Sequence, residues 1–359
     1  MLGREGEAIP LPFNERIMKI YKHLLVSCVA FLAAAFAAAG QEVTLETNIF
    51  SIKGKDTLRI DTYIDYTIPV PEDGRPVVIY IHGGGFTMGH RINAAQEVFC
   101  RHMASEGFLA ASVDYRLAGY GFNEVDGVMT NPYNVESVYG TVKIACEDVV
   151  DATLYILGNE AFAANPSQVS LAGGSAGAFT ALTLVYDQCN GAEYTCSLPE
   201  GFKYASTISQ AGGVGTLEKE LCWKSKPGPI MFFHGTEDIV VPMGQIDMGG
   251  TAIVGTRMLS DQLTEMGVPH WTWIQRGSDH VMAMKPCTEY LDEQASFLKN
   301  WATGKTTDTV YTELTEVEPA NMVSVEAMVK YVPLYILGYG KYIDEIDWDN
   351  LDPGDSIVY

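Results

Sequence analysis

The sequence predicts an α/β fold: a mostly parallel central sheet, antiparallel strands at its N-terminal edge, and helices on both faces. Three observations lead there. The apolar runs at 76–81, 109–113 and 229–233 are continuous rather than alternating, as in strands buried on both faces. Segments with a helical apolar period separate them, the order that builds a parallel sheet with crossover helices. Between one strand and the next helix lies Gly173-Gly174-Ser175-Ala176-Gly177, a Gly-x-Ser-x-Gly sequence in the setting that turns a serine hydroxyl outward.

The elements follow in order. Val43 to Ile52 and Thr57 to Tyr66 alternate apolar with polar residues and read as antiparallel edge strands. Pro76 to Ile81 is a buried strand, Ala94 to Glu106 a helix, and Leu109 to Val113 the next strand. Tyr139 to Leu157 carries a helical period, and Val169 to Ala172 leads into the serine turn. Pro229 to Phe233 and His270 to Ile274 are the later strands. Helices are expected over Gly255 to Met266 and from about Pro286 to Trp301.

The chain start reads as an export signal. Lys19 and Lys22 precede an apolar stretch from about Leu24 to Ala37, closed by Ala38, Ala39, Gly40 and Gln41. That run is shorter than the roughly 20 residues that span a bilayer. Residues 1–40 are therefore assigned to a cleaved signal, with Met18 as an alternative start, and the protein is expected in the periplasm or outside the cell. Leu25-Val26-Ser27-Cys28 loosely resembles a lipoprotein cleavage box, but almost no apolar core precedes Cys28, so no stable membrane anchor is expected. Residues 41–302 are assigned to one catalytic domain and 303–359 to an acidic extension, whose apolar stretch from Met328 to Ile336 suggests docking.

Composition excludes several functions. With 47% hydrophobic and 19% charged residues the chain is globular, and a net charge of -22 argues against binding a phosphate backbone. Neither a Cys-x-x-Cys pair nor a His-Glu-x-x-His helix occurs, so neither a metal nor another cofactor is expected. Beyond the signal, Cys189 and Cys196 flank a short polar loop and form the preferred disulfide pair, with Cys222 and Cys287 a weaker one. Cys100 and Cys146 lie on apolar helical faces, where buried thiols are common.

In a parallel sheet, chemistry collects beyond the C-terminal strand ends. Four segments stand there. His82-Gly83-Gly84-Gly85-Phe86 brings backbone N–H groups that can approach a substrate oxygen without side-chain obstruction. Ser175 sits at the turn, and Glu237 and Asp238 follow the strand ending at Phe233. His280 follows its strand, whereas His270 begins the same strand and faces the other end of the sheet. The order Ser, Asp, His is the one this geometry takes on a sheet of this kind.

These segments, with Asp114-Tyr115-Arg116-Leu117 after the second buried strand and Asp148 and Ala152 on the helix before the serine turn, resemble those of α/β-hydrolases. The likeness is to the hormone-sensitive-lipase-like and feruloyl-esterase-like carboxylesterases, over about Val43 to Trp301. It implies Ser175 as nucleophile, His280 as general base and acid, and Asp238, preferred to Glu237, as the orienting carboxylate. It implies an oxyanion hole of Gly84, Gly85 and Ala176, with Gly83 an alternative to Gly85. Asp114 is expected to pair with Arg116 or cap a turn, and His82 to brace its loop. A small-molecule or carbohydrate-linked ester is the implied substrate, acetyl or feruloyl groups among the candidates. A serine peptidase of the same fold, or a non-catalytic relative, is the alternative. The aromatic insertion 119–139, which begins where the family carries Pro-Glu, and an extra loop at 243–254 depart from the family pattern. Both are expected to form the acyl and alcohol pockets, with Phe86, Tyr120, Phe122 and Tyr133 as the expected pocket side chains.

Overall fold

The computed structural model describes residues 43–117, 123–125, 128–130, 135–216, 220–247 and 252–315. Contacts gather these into one unit from Thr44 onward; of Met1–Val43 only Val43 is described. Strands β1 (Val43–Lys53) and β2 (Asp56–Asp65) come first, joined by a turn at Gly54, then β3 (Arg75–Ile81). Helix α1 (Ala94–Ser105), strand β4 (Leu109–Val113) and a short hairpin, β5 (Asn123–Val125) with β6 (Val128–Thr130), follow. Next are α2 (Val135–Gly158), β7 (Ala164–Gly174), α3 (Ala176–Asn190), β8 (Ser206–Gln210), β9 (Gly213–Thr216) and β10 (Ile230–Gly235). A second hairpin, β11 (Gln245–Asp247) and β12 (Ala252–Gly255), leads to α4 (Thr256–Met266) and β13 (His270–Arg276). Helices α5 (Pro286–Glu289) and α6 (Leu291–Asn300) precede the last described strand, β14 (Val310–Thr315).

Nine of these strands form one sheet in the order β1-β2-β4-β3-β7-β8-β10-β13-β14. β2 runs antiparallel to β4, and every pairing from β4 across to β14 is parallel. The predicted fold class is therefore the observed one. Its physical origin is visible in the burial of β3, where Val77 to Ile81 are each at most 1% exposed. Alternate residues there serve opposite faces. Ile79 and Ile81 join the core formed with Val142, Cys146 and Val149 of α2 and Ala181 and Leu184 of α3. Tyr80 faces the other way, its ring 5.1 Å from that of Phe99 on α1. Helices α2 and α3 thus cover one face, and α1, in contact with α5 and α6, covers the other.

Three expectations change. The fold does not stop at 302, the expected end of the catalytic domain, because β14 pairs with β13 from Trp271 opposite Val310 to Arg276 opposite Thr315. Trp301 stacks on Trp271 and donates its Nε1–H to the Asp308 carbonyl, which carries the chain from α6 to that edge. The loop 243–254 is partly the β11–β12 hairpin, and β12 pairs antiparallel with β9. The helix expected over 286–301 breaks at Tyr290, whose φ of -116° and ψ of 43° leave the helical region. The signal, Cys28 and the apolar stretch 328–336 lie outside the described residues.

The expected disulfides are also absent: Cys100, Cys146, Cys189, Cys196, Cys222 and Cys287 are all free thiols. Cys189 sits near the end of α3, next to Ser225, whose hydroxyl donates to the Cys189 carbonyl. Cys196 is exposed on a one-turn 3-10 helix, Glu193–Ser197, with its thiol toward the Ala192 carbonyl. The α3 C-cap at Gly191 already closes this loop through N–H bonds to Asp187 and Gln188 carbonyls, without a covalent link. Burial pushes the Cys287 thiol up to about 12 and those of Cys100 and Cys146 well above their ordinary value. Thiol alkylation of the folded protein is accordingly expected to modify Cys196 and Cys222 first, and Cys100, Cys146 and Cys287 only after denaturation. Peptide mass mapping checks this, and a Cys189–Cys196 cross-link in unreduced protein would contradict it.

Candidate active site

The parallel register places the ends of β3, β7, β10 and β13 side by side, and the chemically useful segments stand just beyond them. Ser175 joins β7 to α3 with φ 51° and ψ -119°, a left-handed conformation that a non-glycine residue adopts only under constraint. Such strain is on the order of 1 to 3 kcal/mol, and its surroundings must hold it. The Ser175 N–H donates to the Gln210 carbonyl at 2.9 Å, and the Ser175 carbonyl accepts from Phe179 N–H in the first turn of α3. Gly177 allows α3 to rest directly on the end of β3: a Cβ there would collide with the Ile81 carbonyl.

His280 lies on a short 3-10 turn, His280–Ala283, capped by Asp279, whose carboxylate accepts the Val281 N–H at 2.9 Å. Its Nε2 is 2.8 Å from Ser175 Oγ and its Nδ1 2.8 Å from Asp238 Oδ2. With Nδ1–H donated to the carboxylate, Nε2 is left to accept the serine proton. The other oxygen of Asp238, Oδ1, accepts the N–H groups of Val240 and Val241, each at 2.9 Å. The carboxylate is buried, and this double capture in its own turn compensates the lost water. Glu237 is exposed and accepts from the neighbouring Thr236 hydroxyl, and the acid that faces His280 is Asp238.

A second imidazole stands behind that carboxylate. His234 is fully buried, with Nε2 2.7 Å from the Val241 carbonyl and Nδ1 2.7 Å from Thr256 Oγ1. A carbonyl accepts only, so Nε2 carries the proton and Nδ1 accepts from Thr256. The same Nε2 is 3.4 Å from Asp238 Oδ2. His234 therefore fixes both ends of the Asp238 turn, a role for which the sequence offered only the His234-Gly235 dipeptide ending β10.

The glycine loop curls over the serine. Gly84 and Gly85 have φ of 119° and 57°, and the Gly84 carbonyl accepts the N–H groups of Thr87 and Met88, which turns the loop back. An added Cβ on Gly83 would lie 3.3 Å from the Ser175 Cβ, so the loop backbone runs alongside the hydroxyl-bearing carbon. Ala176 begins α3, and its N–H is among those that a helix start leaves without an intrahelical acceptor. His82 braces this loop: its Nδ1 is 2.7 Å from the Gly83 carbonyl and its ring stacks on Tyr115 at 4.2 Å.

Other expected residues fall elsewhere. Phe86 does not line an open pocket; it is 3% exposed and packs edge-on to Tyr115 within the core, because its φ of 60° turns it inward. Tyr120, Phe122 and Tyr133 lie outside the described residues. Asp114 pairs with Arg91, not Arg116, and accepts the Arg59 N–H. Arg116 instead clasps the fully buried Asp148 of α2 through its guanidinium and backbone N–H. His270 contacts Ser260 and the Val268 carbonyl at the opposite end of its strand. Among the described residues no cluster of His, Cys, Asp or Glu is gathered as metal ligands would be.

Burial lowers His82 from its ordinary 6.5 to about 4, opposed by the Gly83 hydrogen bond and Asp114 and assisted by His90. His234 is lowered by burial as well, with Asp238 opposing. Each imidazole is more easily protonated in the unfolded chain. The stability each confers is thus complete above about pH 6.5 and declines as pH falls, for His82 toward about 4. For His82 the loss across that window is on the order of 3 kcal/mol. Urea unfolding at a series of pH values is expected to show it, and His82→Asn to flatten the slope; an unaltered slope in the variant would contradict this assignment.

Comparison with known proteins bears on the fold and on one segment of the chain. Residues 37–192 match the model of the Carboxylesterase family. Gut esterase 1 of Caenorhabditis elegans is 30% identical over 129 residues, which are 36% of this chain and 20% of that protein. The chain thus spans about a fifth of that relative's length. Among solved structures, esterase B of Lactobacillus rhamnosis superposes with a TM-score of 0.51 at 16% identity, covering 80% of this chain and 96% of that one. Brefeldin A esterase, a bacterial homologue of human hormone-sensitive lipase, gives 0.50 at 13% identity, covering 78% and 86%. At such identities the structures speak for the fold alone: the chain has the α/β-hydrolase fold, and its residues 37–192 match the Carboxylesterase family model.

Proposed function

We propose that this protein is an exported serine carboxylesterase that hydrolyses a small acyl or aryl ester through an acyl-enzyme. The observation that carries the reading is the file Asp238–His280–Ser175, joined by two contacts of 2.8 Å. A serine hydroxyl is a weak nucleophile at its own pKa and needs a base within hydrogen-bond reach, which His280 Nε2 provides. As Ser175 Oγ attacks the ester carbonyl, Nε2 takes its proton, and Asp238 favours the imidazolium so formed. The carbonyl oxygen becomes an oxyanion, met by the N–H groups of Gly84, Gly85 and Ala176, each such donor contributing about 2.7 to 4 kcal/mol. His280 then returns the proton to the leaving alcohol. Water, deprotonated by the same imidazole, releases the acid and restores the serine.

The family match at 37–192 supports ester chemistry, and that segment includes the glycine loop and Ser175. Ile239, Val240 and Met284 are exposed apolar side chains on the two turns that carry Asp238 and His280. They favour an uncharged acyl or aryl group over a charged one. Acetyl and feruloyl esters of carbohydrates are the candidates to compare. Export rests on the basic start, apolar stretch and small residues before Gln41.

Two measurements test this reading. Ser175→Ala is expected to abolish hydrolysis of p-nitrophenyl acetate and labelling by a fluorophosphonate, with the circular dichroism spectrum unchanged. Retention of about a percent of activity or more would exclude Ser175, given what a triad member contributes. N-terminal sequencing of secreted material is expected to begin near Gln41, and an intact apolar stretch on the soluble protein would refute cleavage.

A further inference from the structure

The serine turn rests on a buried polar chain that the triad does not use. Gln210, the last residue of β8, is fully buried, as are Gln294 of α6 and Cys287 of α5, and Tyr80 of β3 is 1% exposed. The Tyr80 hydroxyl donates to Gln210 Oε1 at 2.8 Å, and the Cys287 thiol lies 3.1 Å from that hydroxyl and 3.2 Å from Oε1. Gln210 Nε2 donates to Gln294 Oε1 at 2.8 Å. Gln294 in turn donates from Nε2 to the carbonyls of Pro286 and Tyr290, 2.7 and 3.0 Å away. The Pro286 and Tyr290 carbonyls can only accept, so Gln294 must present Nε2 to them, and the direction of each bond from there back to Tyr80 is fixed. Neither amide can be flipped without setting donor against donor.

The consequence reaches the nucleophile through the main chain. The Gln210 carbonyl is the acceptor of the Ser175 N–H, at 2.9 Å. The next residue, Ala211, is itself held at φ 52° and donates its N–H to the Phe233 carbonyl of β10. The Tyr80 hydroxyl also lies against Gly174, since a Cβ added there would be 3.2 Å from it. Side chain and carbonyl of Gln210 are therefore anchored together, between a strand on each side and two helices below.

We propose that Gln210, oriented by Tyr80 and Gln294, is a positioning residue for the nucleophile. Its side chain holds its carbonyl on the Ser175 N–H and so keeps Ser175 Oγ in line with His280 Nε2. The inference rests on Ser175 being the nucleophile. Freeing the Gln210 side chain lets the strained serine relax, which misplaces Oγ during attack while leaving the substrate surface beyond the strand ends intact. A loss of this kind falls on kcat and spares KM.

The experiment compares Gln210→Met, of similar volume but unable to make these bonds, with the milder Tyr80→Phe and Gln294→Leu. Active sites are counted first by the burst with p-nitrophenyl acetate, so that misfolded protein is excluded. Per active site, Gln210→Met is expected to lower kcat by about tenfold to a hundredfold. KM is expected to stay within about twofold, and fluorophosphonate labelling of Ser175 to slow in the same proportion. Tyr80→Phe should give a smaller loss that does not add to that of Gln210→Met, because both act along one path. Wild-type kcat per active site in Tyr80→Phe and Gln294→Leu would overturn the proposal, even where Gln210→Met fails to fold. So would an equal rise in KM. A wild-type protein without esterase activity would instead refute the serine esterase reading itself.

Discussion

The conformation of Ser175 is the constraint around which the rest of this molecule is arranged. A serine at φ 51° lifts its hydroxyl out of the strand-to-helix turn, and nothing local favours that state for a residue with a Cβ. The fold holds it from three sides. Below, Gly177 lets α3 press against the β3 carbonyls; beside it, the Gln210 carbonyl takes the Ser175 N–H. Above, Gly83 brings the glycine loop close to the Ser175 Cβ. The Gly177 and Gly83 contacts depend on the end of β3 and the Gln210 contact on β8, so the strain at one residue is shared by the two strands that flank β7.

The same logic governs the acid and the base. Asp238 and His280 sit on separate turns, after β10 and β13, and a charged pair bridging two loose turns would gain little in water. These turns are not loose. Glu237 N–H donates to the Ser278 carbonyl, Gly277 N–H to Thr236 Oγ1, and Thr236 N–H to the Gln275 carbonyl. Gly235 permits this approach, since a Cβ would strike the Ser278 and Asp279 carbonyls. The imidazole and carboxylate are thereby set by backbone bonds, and the 2.8 Å contact between them follows.

The sequence carried much of this in its patterns. Continuous apolar runs marked β3, β4 and β10, and the order of Ser175, Asp238 and His280 anticipated a site at one end of the sheet. The misses have a common physical origin. Ser206-Thr207-Ile208-Ser209-Gln210 is as buried as any strand here, yet four of its five residues are polar, so hydropathy hides it. β14 is an edge strand with Tyr311 61% exposed, and it reads as surface. Cys189 and Cys196 are near in sequence, but loop closure is already achieved by the Gly191 cap, which spacing cannot reveal.

Buried polar residues carry information that hydropathy treats as noise. A glutamine at the centre of a sheet must be hydrogen-bonded on all sides to be tolerated, and a partly bonded one is worse than an apolar side chain. Gln210 meets that demand with Tyr80, Cys287 and Gln294, drawn from one strand and two helices far apart in sequence. An apolar residue would fill the space as well and require less of its neighbours. What the glutamine adds is direction: its side chain is locked in one rotamer, so its carbonyl is locked too. The polar strand that the pattern overlooks is therefore the one that bears on the nucleophile, and the features that conceal it in the sequence are those that suit it to hold a strained residue in place.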